Sequence, residues 1–478
     1  MQIKEKDVLT KIKVVLFVVI LLGATVVLNY IFKPKDLGMA KSVYLSGSII
    51  DYSSSSKLTG FYGAEEPIDI VFMGNSHVHC DINPVLIWEE YGVTAYNFSA
   101  DQQDIATSYY YVKEMFKYQS PKVVVLNISA YAKQSAARSM HYSFDFMKPS
   151  LTKIMAILHR ANISDYAELL NPFVRYHSRW KELSDIDFEY VYDEEEHELN
   201  GFWGYTIKTS TSPAEMPETY VYHESFLEAF EIIADIDELC SQNGAELVIS
   251  FLPTAIDAHY GSYLYYIEQF AREAEIPFLN YYYKGEEIGV NYATDMSDYV
   301  HMNIYGSEKI TRQIGADLLS VVDVETEYTE DVIEKYDKKV DLYYHLKQNY
   351  EYNDVSDFDA YISSYSSTDD YVIFIVGQCY PFVAVNESKY TEAKDGYSWS
   401  YISVIDSGKC VYEKVDSKEM SYSYTVQENE FELISTINKA SVINCGDNKY
   451  ANLAWGLNVV VYDKVLGEVV GRKGFELP

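Results

Sequence analysis

Ser76 ends the run Asp69-Ile-Val-Phe-Met-Gly-Asn-Ser76, and Asp298 and His301 stand three positions apart far downstream. A serine hydroxyl is a poor nucleophile near neutral pH. It attacks only when an imidazole takes its proton and a carboxylate fixes the imidazole's tautomer and steadies its charged form. The chain supplies all three residue types, so the chemistry they outline is nucleophilic attack on an acyl carbon.

Such groups work only if the fold brings them together. Ile68 to Met73 is a short apolar run between Pro67 and Gly74, which predicts a parallel strand buried on both faces. Gly74 then allows a sharp turn that leaves Ser76 at the carboxyl end of the strand, where open parallel sheets bind their ligands. The pattern is not a Gly-x-Ser-x-Gly elbow, because Val78 stands two after the serine. Further strands are expected at Thr94 to Asn97, Val123 to Ile128, Glu246 to Phe251 and Phe278 to Tyr281. The clearest helix between them is Glu224 to Cys240, with apolar residues at helical spacing before an Asn243-Gly244 stop. Strands alternating with helices argue for a parallel sheet. Tyr131 to Tyr222 is too long for a simple crossover and reads as an insertion of helices with an acidic excursion at Asp193 to Glu196, near the mouth of the site.

Gly74-Asn75-Ser76 and Asp298-x-x-His301 resemble the first and last blocks of the SGNH, or GDSL-like, hydrolases. The resemblance implies an α/β fold, a three-layer α/β/α sandwich with a parallel sheet of flavodoxin-like type. It also implies Ser76 as nucleophile, His301 as base and Asp298 as its partner. Gly-x-Ser-His at 74–77 and His301-x-Asn303-x-x-Gly306 are similar to the membrane-anchored branch that acts on cell-surface polymers, such as the alginate O-acetylation and teichoic-acid D-alanylation proteins. The family's second block keeps its asparagine as Asn97 but has Gln102 where a glycine gives an oxyanion amide. Any residue offers a backbone amide, so Ser76 and Gln102 are the expected oxyanion donors. The third block, Gly-x-Asn-Asp, is absent from Val123 to Ser129, where only Asn127 remains, and one donor is unassigned. Asn75, His77, Asn97, Asn127 and Asn303 are expected to line the pocket.

His77, His79, Cys80 and Asp81 also have metal-ligand chemistry. No second ligand cluster occurs at a recognisable spacing, and alternate residues of a continuing strand would face opposite ways. The expectation is therefore no metal, and no other cofactor, since the triad needs none and no glycine-rich nucleotide fingerprint lies beside a suitable strand.

Val14 to Phe32 is an apolar run without charges, flanked by Lys11 and Lys13 before it and Lys33 and Lys35 after it. It is long enough to span a bilayer and has no convincing cleavage site, so it reads as an uncleaved anchor, with a cytoplasmic tail at 1–13 and the bulk outside. A Ser-rich, structurally weak connector is expected over 33–66. The net charge of −34 and the lack of a basic cluster are expected to repel nucleic acid and anionic membrane surfaces, and they exclude nucleic acid as a partner. With 48% hydrophobic residues, the acidity belongs to a folded surface and not to disorder.

Tyrosine occurs 47 times, and its faces can stack on sugars or simply pack half-buried. Cys80, Cys240, Cys379, Cys410 and Cys445 are too scattered for a disulfide scaffold, although one bridge among the last three is allowed. Asn-x-Ser triplets begin at Asn97, Asn127, Asn162 and Asn386 and matter only in a glycosylating pathway.

The sandwich is expected over 67–325, with its insertion at about 131–222, and an acidic brace over 326–370. Short strands without long helices then predict a β-rich accessory domain over 371–478. The run Gly456-Leu-Asn-Val-Val-Val-Tyr-Asp463 with Gly467 to Val470 resembles an interleukin-like, ILEI/PANDER-type domain, which implies glycan binding; a purely stabilising β module is the other reading. Together the resemblances imply an extracytoplasmic serine esterase or O-acyltransferase acting on acyl esters of a cell-surface polysaccharide. A transferase would need a membrane-bound O-acyltransferase as partner. The contrasting expectation is a non-catalytic glycan-binding or assembly protein on the same scaffold.

Overall fold

The computed structural model describes residues 2–32, 54–131, 136–183, 187–188, 196–255, 259–324, 326–379, 399–437, 440–450 and 456–476. The chain divides into two compact units at Tyr343/Tyr344. Residues 33–53 of the expected connector, Asp193 to Glu195 of the acidic excursion, the Asn386 triplet and the Cys379 side chain lie outside the described residues.

The first unit opens with α1 (Gln2–Ile31), in which Thr10–Ile31 forms an exposed apolar stretch of 22 residues, long enough to cross a membrane. Then come α2 (Ser54–Tyr62), β1 (Ile70–Gly74), α3 (Ser76–Asp81), α4 (Pro84–Tyr91), β2 (Ala95–Ser99), α5 (Ile105–Met115) and β3 (Val123–Asn127). The insertion contributes α6 (Ala137–Phe144), α7 (Leu151–Arg160), α8 (Tyr166–Leu170) and α9 (Pro172–Tyr176). The unit continues with α10 (Glu224–Gln242), β4 (Glu246–Phe251), α11 (His259–Glu273), β5 (Phe278–Asn280), α12 (Ile304–Val321) and the first half of α13 (Glu330–Asp354).

Its sheet is wholly parallel, in the order β2-β1-β3-β4-β5, the flavodoxin-like arrangement. Every residue of β1, β2 and β3 is buried, as an apolar run covered on both faces requires. Alternate side chains divide between two cores. Val71, Met73, Val124 and Leu126 join Tyr111 of α5 and Ile233 of α10, whereas Ile70, Phe72, Val123 and Val125 join Ile87 of α4 and Ile310 and Ile314 of α12. The fold is therefore an α/β three-layer sandwich.

Part of the expected connector is neither weak nor outside the core. Leu58, Phe61 and Tyr62 recur at i, i+3 and i+4 on α2 and bury one stripe against the layer that holds Tyr96 and Phe98. Leu58 is 3% exposed and Phe61 fully buried, so this helix is part of the sandwich. The tyrosine excess is also structural: the largest fully buried side chains are tyrosines, among them Tyr96, Tyr111, Tyr263 and Tyr282, joined by Lys57. Their hydroxyls find partners where they can, as when Tyr111 donates to the Ser143 carbonyl at 2.6 Å and Tyr96 to the Lys57 carbonyl at 2.9 Å.

The second unit holds the rest of α13, α14 (Phe358–Tyr365) and two antiparallel sheets. The strands are β6 (Tyr371–Cys379), β7 (Trp399–Asp406), β8 (Lys409–Asp416), β9 (Met420–Val426), β10 (Asn429–Ser435), β11 (Val442–Cys445), β12 (Asn448–Lys449), β13 (Leu457–Asp463) and β14 (Glu468–Phe475). One sheet runs β14-β13-β6-β7-β8 and the other β12-β11-β10-β9. Phe374, Val404 and Val460 meet Phe431, Leu433 and Ile443 between the sheets, while Ile373, Ile375 and Val459 meet Tyr361 and Tyr365 of α14 on the opposite face. This C-terminal unit is β-rich. Its Cys410 and Cys445 thiols are free, as are those of Cys80 and Cys240 in the first unit.

Candidate active site

The turn between β1 and α3 leaves no room for a side chain at its first position. Gly74 has φ 150°, and a Cβ there would stand 2.9 Å from Asn127 Cβ and 3.2 Å from the Asn127 carbonyl oxygen on the neighbouring strand. Asn75 caps α3 by accepting the His77 N–H at 3.1 Å, and its Nδ2 donates to Ser129 Oγ at 3.0 Å. Ser76 thus begins the helix, half-buried, at the carboxyl end of the sheet.

The opposing segment is a tight loop ahead of α12. The Ser297 N–H reaches the His301 carbonyl at 2.9 Å, and Asp298 Oδ1 accepts the N–H groups of Val300 at 2.6 Å and His301 at 2.7 Å. Asn303 caps α12 by accepting from Tyr305 and Gly306 and sends its Nδ2 to the Thr294 carbonyl at 2.8 Å. Gly306 keeps that helix close to the loop, since a Cβ there would meet the Asp295 carbonyl at 2.5 Å.

These two segments bring Ser76, His301 and Asp298 into one line. Ser76 Oγ is 2.7 Å from His301 Nε2, and His301 Nδ1 is 2.9 Å from Asp298 Oδ2. With the Nδ1 proton donated to the carboxylate, Nε2 carries the lone pair that accepts the serine proton. Burial pushes the Asp298 carboxyl upward. The hydrogen bond and charge of His301 and the two backbone N–H groups outweigh it and hold the group at about 2. The carboxylate is thus ionised wherever the imidazole needs a counter-charge.

Asn127 and Gln102 lie on the two segments that border the Gly74 turn. Asn127 Oδ1 accepts from the Ser129 N–H at 3.1 Å and from Ser129 Oγ at 2.6 Å, while its buried Nδ2 has no hydrogen-bond partner among the described residues. A buried N–H₂ group without an acceptor is costly unless a ligand oxygen serves it. Gln102 has φ 57°, the left-handed conformation that glycine adopts most readily, and its Oε1 accepts from Ser139 Oγ at 2.6 Å. The loop that carries Gln102 is held at the Gly74 turn by the Ala100 N–H, which donates to the Gly74 carbonyl at 3.3 Å.

Two of the asparagines expected in the pocket make hydrogen bonds to backbone. Asn97 is fully buried and donates from Nδ2 to the Ile82 carbonyl at 2.7 Å, bracing the end of α3. Asn303 is fully buried too, and both ends of its amide are spent on the loop and on α12. The Asn303 amide thus organises backbone at both ends, while Asn97 Oδ1 is buried with no hydrogen-bond partner among the described residues. His77 lies against the site, its ring centroid 5.5 Å from that of His301.

Sequence reasoning did not single out Asp81 as a structural partner, Tyr205 or Lys57. Asp81 is fully buried; Oδ1 accepts the Met302 N–H at 2.8 Å and Oδ2 lies 3.2 Å from His77 Nδ1. Burial pushes this carboxyl well above its usual range, against the pull of His301 and the Met302 amide. Burial lowers His77 to about 4, against the charge of Asp298, so His77 is neutral at ordinary pH. His79 is likewise lowered to about 4, by burial and by the charge of Lys57, and sits between Ser99 Oγ at 2.9 Å and Asp101 Oδ1 at 3.1 Å. Tyr205 places its ring 5.6 Å from His301. Lys57, 1% exposed, lies over the Trp203 ring at 4.7 Å, and its Nζ has no hydrogen-bond partner among the described residues. Burial lowers its pKa, against Asp101 and Cys80. Helical phase could have found Asp81, one turn beyond His77; nothing in the local sequence marks Lys57 as buried.

No protein-family model matches the chain. No curated protein matches it either. Among solved structures, it is similar to a Bacteroides fragilis NCTC 9343 protein described as an acylhydrolase, at 14% identity and a TM-score of 0.29, over 57% of this chain and 99% of that one. A GDSL-like lipase from Bacteroides thetaiotaomicron VPI-5482 aligns at 14% identity and a TM-score of 0.27, over 53% of this chain and 88% of the other. Values this low leave the chemistry to rest on the residues themselves.

Proposed function

We propose that the protein is a membrane-anchored, extracytoplasmic serine esterase or O-acyltransferase acting on acyl esters of a cell-surface glycan. The observation that carries the catalytic part is the continuous contact from Ser76 Oγ through His301 to Asp298, at 2.7 and 2.9 Å. In this reading His301 Nε2 takes the Ser76 proton as Oγ bonds to the acyl carbon. The oxyanion is held by the backbone amides of Ser76 and Gln102 and by Asn127 Nδ2. Collapse expels the alcohol, which leaves with the proton from His301, and an acyl-serine remains. Water, or a sugar hydroxyl in the transferase case, then gives its proton to His301 and takes the acyl group, and His301 returns that proton to Ser76 Oγ as the acyl–serine bond breaks.

The apolar stretch Thr10–Ile31 supports an anchor: at about 1.5 Å per residue it spans the hydrocarbon core. The glycan substrate, the membrane-bound O-acyltransferase partner and a sugar-binding role for the C-terminal unit come from the sequence resemblances and belong to the same proposal.

The test is labelling of the full chain by a fluorophosphonate probe with mass-spectrometric mapping, beside hydrolysis of p-nitrophenyl acetate. Labelling confined to Ser76 and lost in His301→Ala is expected. Absence of labelling in a folded protein would sink the catalytic reading in favour of a non-catalytic glycan-binding protein.

A further inference from the structure

The helical insertion turns an apolar face outward. Leu151, Ile154, Met155 and Leu158 recur at i, i+3, i+4 and i+7 along α7, and each is between 40% and 81% exposed, while Ala156, Ile157 and Arg160 of the same helix are buried. A helix with one apolar face ordinarily buries it, so a face of this kind directed to solvent marks a contact surface. The exposure continues past α7 at Ile163, Leu170, Val174 and Trp180.

The position of this face says what covers it. α7 packs on α8, α8 on α9, and α9 on α1. The last contact is specific: the Phe173 N–H donates to Asn29 Oδ1 at 3.1 Å, and the Phe173 ring meets Phe32 edge-on at 5.2 Å. Asn29 and Phe32 lie at the carboxyl end of the apolar stretch, where a spanning helix leaves the hydrocarbon. Val174, next to Phe173, is therefore held at the depth of the headgroups.

Charge points the same way. Arg160 and Arg179 are spent on Asp104 and Asp187, but Arg175 and Lys181 stand exposed beside the apolar residues, in a chain of net charge −34. Lys181 lies over the Trp180 ring at 5.3 Å and Arg175 over Tyr176 at 5.4 Å. Aromatic rings paired with long basic side chains are what the interface between headgroups and acyl chains accommodates.

We infer that α7 to α9 and the turn through Trp180 form an interfacial docking surface for a lipid bilayer, seating the first unit on the membrane beside its own anchor. The inference rests on the anchor reading of α1. Docking on lipid would hold the sandwich at a set orientation over the bilayer instead of leaving it free on a tether.

The test uses the full chain reconstituted in phosphatidylcholine–phosphatidylglycerol vesicles, with Cys379, Cys410 and Cys445 replaced by serine. Nitroxide labels are placed at Met155→Cys, Val174→Cys, Leu16→Cys in α1, and Val321→Cys, an exposed site at the end of α12. Melting curves against the unaltered chain verify each variant's fold. Collisions with dissolved oxygen should exceed those with a water-soluble nickel chelate at 155, 174 and 16, with the reverse at 321. Arg175→Glu with Lys181→Glu should shift 155 and 174 toward the nickel-accessible state and leave 16 unmoved. A lipid-exposed 16 with water-exposed 155 and 174 would overturn the docking surface and leave the anchor standing. A water-exposed 16 would overturn the anchor and the inference with it. Exclusion of both reagents at 155 and 174 would mean that a protein surface, such as a second copy of this chain, covers the face, and would overturn docking on lipid.

Discussion

Asp81 Oδ1 accepts the Met302 N–H at 2.8 Å, so the helix that begins at Ser76 also holds the segment that carries His301. One buried carboxyl at the far end of α3 thereby ties the segment of Ser76 to the segment of His301. Asp81→Ala would leave the Met302 amide without its acceptor, at a cost of about 1–3 kcal/mol in stability. It should also lower kcat on the order of a hundredfold with little change in KM, as misplaced catalytic groups do. Asp81→Asn keeps an acceptor for Met302 and a donor for His77 Nδ1, and should restore most of both. Steady-state kinetics and melting of the two variants check this, and equal losses in both would argue against a positioning role.

Asn127 gives a separate test of the oxyanion site. Asn127→Asp keeps Oδ1 for the Ser129 bonds but replaces the Nδ2 donor with a second oxygen. Its melting temperature should fall, because the new carboxylate oxygen is buried without a donor, while kcat falls by roughly a hundred- to a thousandfold. Full activity in this variant would remove Asn127 from the mechanism.

His77 and His79 make the fold sensitive to acid. Each has its folded pKa lowered to about 4 against an ordinary value of 6.5. Between those values the unfolded chain binds protons that the folded chain does not, so stability rises with pH across the window and is lost as pH falls from about 6.5 toward 4. Urea unfolding across this range should show the slope, and His79→Gln should flatten it. An unchanged slope would place the titrating group elsewhere.

Lys57 is an opportunity to stabilise the protein. An ammonium without a hydrogen-bond partner in a buried site is unfavourable, and Lys57→Met keeps the stem over Trp203 while removing the charge. The variant should melt higher at neutral pH. Because the folded pKa is lowered below 10.5, the parent gains stability as pH rises through that folded value, and the advantage of Lys57→Met should shrink accordingly. A lower melting temperature at pH 7 would show that the amine has a structural role.

Much of the sandwich is legible because burial on two faces leaves unbroken apolar runs, as in Ile70 to Met73 and Val123 to Leu126. Ser76, Asp298 and His301 stand out by type and order, and the structure brings them within hydrogen-bond reach. The roles of Asn97 and Asn303 are not legible, since an amide that holds backbone has the same letter as one that faces a ligand. α2 hides behind three serines because its stripe is only Leu58, Phe61 and Tyr62. β9 hides because only Met420 and Val426 at its ends are buried, and the residues between them alternate exposed and half-buried without a continuous apolar run. The turn from β7 to β8 was in plain view, since Ser407 and Gly408 take φ 52° and 69°, the pair of positive values that suits a two-residue hairpin.

The tyrosine-filled interior sets how this protein meets alkali. Burial pushes Tyr96, Tyr111 and Tyr263 far above the ordinary phenol range, so they stay protonated in the fold while an unfolded chain would ionise them near pH 10. Base therefore favours the unfolded chain through many phenols at once, and the alkaline limit should be abrupt. The phenolate absorbance that ordinarily grows smoothly in a titration would here arrive in two stages, first from surface rings and then in a single jump as the interior opens.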